Sequence, residues 1–283
     1  MMKTAFDIVT ESTDWSAKPP GTLLLELNEK QITFAWFEKK TNQLRRLKQY
    51  HISTTNNDLL EDLLEEIVEN DFELQNEIRE AIIIYNLGDN VLVPSAHFSS
   101  ELGKPIMEII AGSAQRGLIL NEKIPGTDIY CYYRIPRAIH GFLQKKFSAG
   151  KYWHFYSLLL EAFPPNVSDE VLFRLFFYPD KMVVAVFEKE KLQLIQTYYY
   201  QVPEDITFYL LSICQQFRYD AEKVHIIISG LIDSDSALFN EMTRYFLNIE
   251  WETNGRNAWV NERLQDYPSH YFASILQMAL CVL

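Results

Sequence analysis

The sequence predicts an α/β protein of two similarly built domains, each a mixed five-stranded sheet with flanking helices. Residues 23–52 and 173–202 align without a gap at an offset of 150. Leu25, Ala35, Phe37, Glu38, Lys39, Gln43, Leu44 and Tyr50 meet the identical residues Leu175, Ala185, Phe187, Glu188, Lys189, Gln193, Leu194 and Tyr200. Self-similarity at a fixed offset marks a repeated supersecondary unit. The order of apolar runs after each start is also the same. Finally, 283 residues exceed one ordinary hydrophobic core and suit two domains.

Taken in order, residues 1–20 read as a poorly ordered leader ending in Pro19 and Pro20. The first domain is expected over 21–163. Leu23, Leu25 and Leu27 alternate with Leu24, Glu26 and Asn28, a second run covers 32–37, and Asn28 with Glu29 turns between them. A third run, 44–52, completes an antiparallel meander. Asp58 with Glu61 forms a capping pattern ahead of Leu60, Leu63, Leu64, Ile67 and Val68, which recur at helical spacing. The apolar run 81–85 then fits a central strand laid parallel to the first after a helical crossover. Residues 137–147 read as the next helix and 152–156 as the last strand, which leaves about 86–127 as an insertion. Phe163, Pro164, Pro165 and Asn166 make a linker.

The second domain, 164–283, repeats the pattern. Strands are expected over 171–177, 182–187 and 192–202. Pro203 opens a helix whose Ile206, Leu210, Ile213 and Phe217 share a stripe, and 224–229 is the central strand. Residues 233–246 read as helix, 248–251 as strand and 270–282 as a closing helix.

Composition bounds the partners. A net charge of −12 and a pI near 5.0 repel phosphate backbones and anionic lipid, so nucleic acid is not expected. The apolar stretch 271–283 is too short to cross a bilayer, so no membrane insertion is expected. Cys131, Cys214 and Cys281 are isolated, odd in number and set among apolar residues, which fits thiols in a reducing compartment. With no basic and apolar leader, the sequence reads as cytoplasmic.

Three antiparallel strands, a helix, a strand, then a further helix and strand, all given twice, is a layout that resembles the duplicated ribonuclease-H-like unit of the actin, sugar-kinase and Hsp70 superfamily. The insertion after the fourth strand is similar to that of the bacterial cell-division and pilus-assembly members. As a whole the chain resembles an uncharacterised bacterial family with an actin-like ATPase fold. The resemblance implies two domains facing a cleft, with ATP and magnesium held by a D-x-G hairpin in each half and by a glycine pair after the fourth strand of the second. Glycine there lets backbone amides approach phosphate, and Asp holds the hydrated metal.

The matching positions here read Glu26, Leu27, Asn28 in the first half and Phe176, Phe177, Tyr178 in the second. The second triplet has neither acid nor glycine, and its aromatic bulk is expected to occlude the phosphate space. Ser229, Gly230, Leu231 retain one glycine. The leading expectation is therefore a degenerate, non-catalytic binding or assembly module without cofactor or metal, able to take a protein partner. The alternative is a diverged ATPase in which Glu26 and Asn28 handle metal and phosphate and Gly230 borders the nucleoside.

Other chemistries have weaker support. A nuclease reading would gather Glu26, Glu61 or Glu65, and Asp89 around two metals, but the acidic helix reads as a solvated face. Ala111 to Gly117 lacks the Lys and Ser or Thr of a phosphate loop. His51, His97, His140, His154, His225 and His270 show no metal-ligand spacing. The run Thr197, Tyr198, Tyr199 and Tyr200 reads first as ordinary sheet packing under a helix, with one exposed aromatic face suited to an interface as the other reading.

Overall fold

The computed structural model describes residues 2–9, 21–39, 41–53, 58–75, 78, 80–112, 117–165, 170–253 and 262–283. Asn166 of the expected linker and residues 113–116 of the glycine-spaced segment lie outside them. The chain forms two compact units: Met1–Ala162 with Met278–Leu283 belongs to the first, and Phe163–Asn257 with Gln265–Gln277 to the second.

In the first unit, β1 (Met2–Val9), β2 (Thr22–Leu27), β3 (Gln31–Phe37), β4 (Leu44–Ile52), β5 (Glu80–Tyr85) and the later β9 (Lys151–His154) build one sheet in the order β1-β4-β3-β2-β5-β9. β2 is parallel to β5, and β5 to β9; the rest are antiparallel. β2 is buried along its whole length, as a strand covered on both faces must be. Its Leu23, Leu25 and Leu27 face Trp36, Phe34 and Ile32 across the ladder. Helix α1 (Asp58–Asn70) covers them with Leu60, Leu64 and Ile67, and α4 (Arg137–Lys146) with Ile139 and Leu143. The one-turn α2 (Phe72–Gln75) follows α1.

The sheet has six strands rather than the expected five, because Met2–Val9 is an edge strand and not part of a loose leader. It pairs antiparallel with β4, from Met2 opposite Ile52 to Val9 opposite Arg46. Arg46 fastens it: its guanidinium donates two 2.8 Å bonds to the Asp7 carboxylate and also reaches Glu73. A bidentate pair of this kind fixes geometry as well as charge.

The insertion is larger than expected. β6 (Asn90–Pro94), α3 (Gly103–Ala111), β7 (Leu118–Lys123) and β8 (Ile129–Ile135) form a three-stranded antiparallel sheet ordered β6-β8-β7 with a helix, so it runs through Ile135 rather than ending near Thr127. Residues 155–156, expected to finish the last strand, instead open α5 (Phe155–Ala162).

Glu122 on β7 ties the insertion to the end of β9. Its carboxylate accepts the His154 amide at 2.8 Å and the Tyr133 hydroxyl at 3.2 Å, and burial pushes its carboxyl above the usual range. The folded state thus favours the proton on Glu122. The resulting stabilisation is present in acid and lost as pH rises through the shifted value. Glu122→Gln, which keeps an acceptor for His154 and removes the buried charge, is expected to raise the melting temperature at pH 7 by a few degrees. It should leave the melting temperature at pH 4 unchanged; equal shifts at both values would contradict this account.

In the second unit, β10 (Val171–Phe177), β11 (Lys181–Glu188), β12 (Lys191–Tyr199), β13 (His225–Gly230) and β14 (Asn248–Trp251) form a sheet ordered β12-β11-β10-β13-β14. Phe173, Leu175, Phe177, Met182, Val184 and Val186 pack beneath Ile206, Leu210 and Ile213 of α6 (Pro203–Phe217). Three elements are shorter than expected. α7 covers only Ala237–Met242 of the expected 233–246, and α8 (Ala273–Val282) begins three residues after His270. β12 stops at Tyr199, because Asp205 accepts the Gln201 and Val202 amides and starts α6 there.

The two meanders share their bulge but not their turn. Both ladders shift register beside the same residue, Phe37 and Phe187. Phe37 then faces Leu44, whereas Phe187 faces Leu192, so the second turn is two residues tighter. It is made by Lys189 and Glu190, both at positive φ, as two-residue hairpins require. Beyond this point the gapless alignment fails. Tyr50 opposite Ile32 corresponds to Tyr198 opposite Met182, not to Tyr200.

Candidate functional site

Each position singled out by the resemblance lies at the carboxyl end of a central strand, where loops are free to recognise ligands. In the first unit Glu26 is the penultimate residue of β2 and is 3% exposed. Its Oε1 accepts Asn86 Nδ2 at 2.8 Å, and the Asn86 amide donates to Leu27 O at 2.9 Å. Asn28 closes the β2–β3 turn, its amide donating to Gln31 O at 3.0 Å and its Oδ1 accepting the Lys30 amide at 2.9 Å. Glu26 and Asn28 are thus brought together, with Asn86 as an added partner. The sequence signal for Asn86 was only its place one residue beyond a central strand.

Asp89 does not join them. Its carboxylate takes two bonds from Arg134, at 2.9 and 2.6 Å, and Arg134 also donates to the carbonyls of Ala111 and Gly112 that end α3. Asp89 therefore belongs to the insertion, and a Cβ on Gly117 would strike the Arg134 side chain. Among the described residues no three His, Cys, Asp or Glu side chains converge as a metal site would need. The nuclease arrangement with Glu61 or Glu65 is not assembled.

In the second unit the equivalent turn is built from bulk. The Tyr178 amide donates to Lys181 O at 2.9 Å, the same bond that Asn28 makes to Gln31. Phe177 points into the helix-covered core, while Phe176 lies on the opposite face, edge-on to Phe163 at 5.0 Å. Tyr178 accepts the Tyr200 hydroxyl on its carbonyl at 2.5 Å, and the Lys181 ammonium lies 5.8 Å from its ring. Lys181, a cation only 1% exposed, gave no signal in the sequence.

Gly230 sits at φ +96°, beside the last ladder position of Phe177. A Cβ there would lie 2.2 Å from Phe177 O. Glycine is thus demanded by the approach of two backbones, whatever borders it. The Gly230 amide donates to His270 O at 2.8 Å, and the Leu231 amide to Phe177 O at 3.1 Å. The His270 ring in turn stacks on Trp251 at 4.2 Å. In the tyrosine run, Tyr198 stacks on Tyr209 at 4.6 Å and Tyr199 alone is largely exposed.

Residues 11–249 match the family model described as "Protein of unknown function (DUF3822)". The chain belongs to the DUF3822 family. None of the curated proteins compared matches it significantly. Among solved structures, this DUF3822 chain is similar to a Bacteroides thetaiotaomicron protein "with actin-like ATPase fold and unknown function". The TM-score is 0.77 at 14% identity, covering 95% of this chain and 99% of that one. It is also similar to the "PilM-PilN type IV pilus biogenesis complex", with a TM-score of 0.57 at 14% identity over 93% of this chain and 98% of the other. The DUF3822 chain therefore has the actin-like ATPase fold. Among its described residues no helix is long and apolar enough to cross a membrane.

Proposed function

We propose that this protein is a non-hydrolysing actin-like module that works in the cytoplasm by binding or assembling with another protein. The observation that carries the reading is the β10–β11 turn. Where the superfamily pattern places Asp and Gly, this chain places Phe176, Phe177 and Tyr178, each at most 4% exposed and packed within its own unit. Phosphate recognition needs backbone amides pointing at the ligand, and the Tyr178 amide is committed to Lys181 O. Glu26, the one carboxylate at a signature position, is engaged by Asn86. A duplicated ancestral unit whose second phosphate loop was overwritten by apolar residues accounts for both turns. The likeness to the PilM-PilN complex, in which the two proteins are associated, supports a binding role over a catalytic one, and free cysteines suit a reducing compartment.

Titration with ATP and magnesium, followed by thermal unfolding, tests this. A ligand that binds only the native state at a hundred times its dissociation constant stabilises by about 2.7 kcal/mol. No shift in melting temperature is expected up to millimolar nucleotide. A saturable rise of several degrees would overturn the proposal in favour of a diverged ATPase using Glu26, Asn28 and Gly230.

A further inference from the structure

On the face of the first sheet opposite its helix-covered core, Glu26, Asn28, Gln31, Thr33, Gln49 and Asn86 form a polar group, none more than 5% exposed. The ladder steps Glu26 opposite Thr33 and Leu27 opposite Ile32 bring Asn28 directly across from Gln31. The hydrogen bonds here have a direction. Gln31 Nε2 donates to Thr33 Oγ1 at 3.1 Å, Thr33 donates to Gln49 Oε1 at 3.5 Å, and Gln49 Nε2 lies 3.1 Å from His51 Nε2. Because the Thr33 hydroxyl gives its proton to Gln49, it must receive one from the Gln31 nitrogen, which turns Gln31 Oε1 the other way. Asn28 is fixed likewise, since its oxygen accepts the Lys30 amide and its nitrogen is left over.

Two buried atoms remain without a protein partner, Asn28 Nδ2 and Gln31 Oε1. One is a donor and the other an acceptor, on neighbouring cross-strand positions. Buried polar groups are almost always satisfied, by ordered water where no protein group reaches them. We propose that these two atoms hold one neutral hydroxyl ligand, a water molecule, which accepts from Asn28 and donates to Gln31. The chemistry disfavours phosphate, whose charged oxygens would meet the Gln31 oxygen and the nearby Glu26 carboxylate. The inference concerns the first unit alone and stands whether or not nucleotide binds elsewhere.

A crystal structure of the full chain at about 1.5 Å would show an isolated solvent peak within hydrogen-bonding distance of both atoms. A direct bond between the two amides, or any larger ligand in that position, would refute the assignment. Thermal unfolding of Asn28→Leu, Gln31→Leu and the double variant gives an independent reading. Each single change is expected to lower the melting temperature by several degrees. The double change should lower it by clearly less than the sum, because losing either partner already releases the water. Losses that simply add would mean that no common ligand joins the two side chains. Should a variant fail to fold, the solvent peak in the parent protein decides.

Discussion

Gly230→Ala is expected to destabilise the second unit by roughly 2–4 kcal/mol, the sum of an unfavourable backbone region and a steric conflict. The two causes are independent. At φ +96° an L-residue is strained whatever surrounds it, and its Cβ would lie 2.2 Å from a carbonyl oxygen, Phe177 O, that cannot rotate away. That carbonyl is held by the Leu231 amide, so relief would have to open the β10–β13 ladder at its end. For a unit of this size the loss corresponds to a drop of about 10 °C or more in the melting temperature. Circular dichroism melts of parent and variant would show it. A variant melting within 2 °C of the parent, roughly the scatter of a neutral surface change, would mean that the two backbones are farther apart than described.

The second large effect is expected at Arg174, in the middle of β10. Its guanidinium donates to Glu252 at 2.5 Å and to Pro164 O at 3.4 Å, lies 5.5 Å from the Phe163 ring, and leaves Nε without a partner. Both charges are nearly enclosed, with side-chain exposures of 10% and 15%. Burial raises the Glu252 carboxyl even though Arg174 opposes the shift. Desolvation therefore outweighs attraction at this carboxyl, and a buried pair of this kind contributes little net stability. Removing one member is different. Glu252→Ala strands a buried guanidinium and is expected to cost about 3–5 kcal/mol in urea unfolding. The double change Arg174→Met with Glu252→Leu should recover most of that loss. If the double variant is as unstable as the single one, packing rather than stranded charge is the cause.

Much of the fold was legible because central strands and amphipathic helices announce themselves. β4, β10 and β14 fall on the expected residues, and β2, β3, β5, α1, α4 and α6 differ from expectation by only a residue or two at either end. What escaped notice depends on partners distant in sequence. Met2–Val9 has the weak alternation of an edge strand, with Lys3 and Asp7 among its residues, and becomes a strand only because β4 and Arg46 receive it. β8 lies beyond the expected end of the insertion near Thr127, and its assignment to the insertion depends on pairing with β6 and β7. The alignment at offset 150 holds through the first hairpin of each unit and fails where a tight positive-φ turn replaces a longer loop. Backbone geometry of that kind leaves little trace in side-chain pattern.

The signature positions were found from sequence because they lie at strand ends. Their chemistry was not. That Glu26 binds Asn86, that Asp89 is taken by Arg134, and that Phe176 and Phe177 face opposite sides of a sheet are all three-dimensional facts. Gly230 illustrates the limit: a lone glycine after a strand admits several explanations, and only the distance to Phe177 O selects one.

The edge position of β1 has a consequence for biogenesis. Its partner residues, Arg46–Ile52, lie 37 to 50 positions downstream, so during translation this segment emerges before the strand it pairs with. It must wait until the later hairpin has left the ribosome, and non-local pairings of this sort form late. In the interval it is an exposed ribbon of Phe6, Ile8 and Val9, the sort of sequence that chaperones engage and that mispairs at high expression.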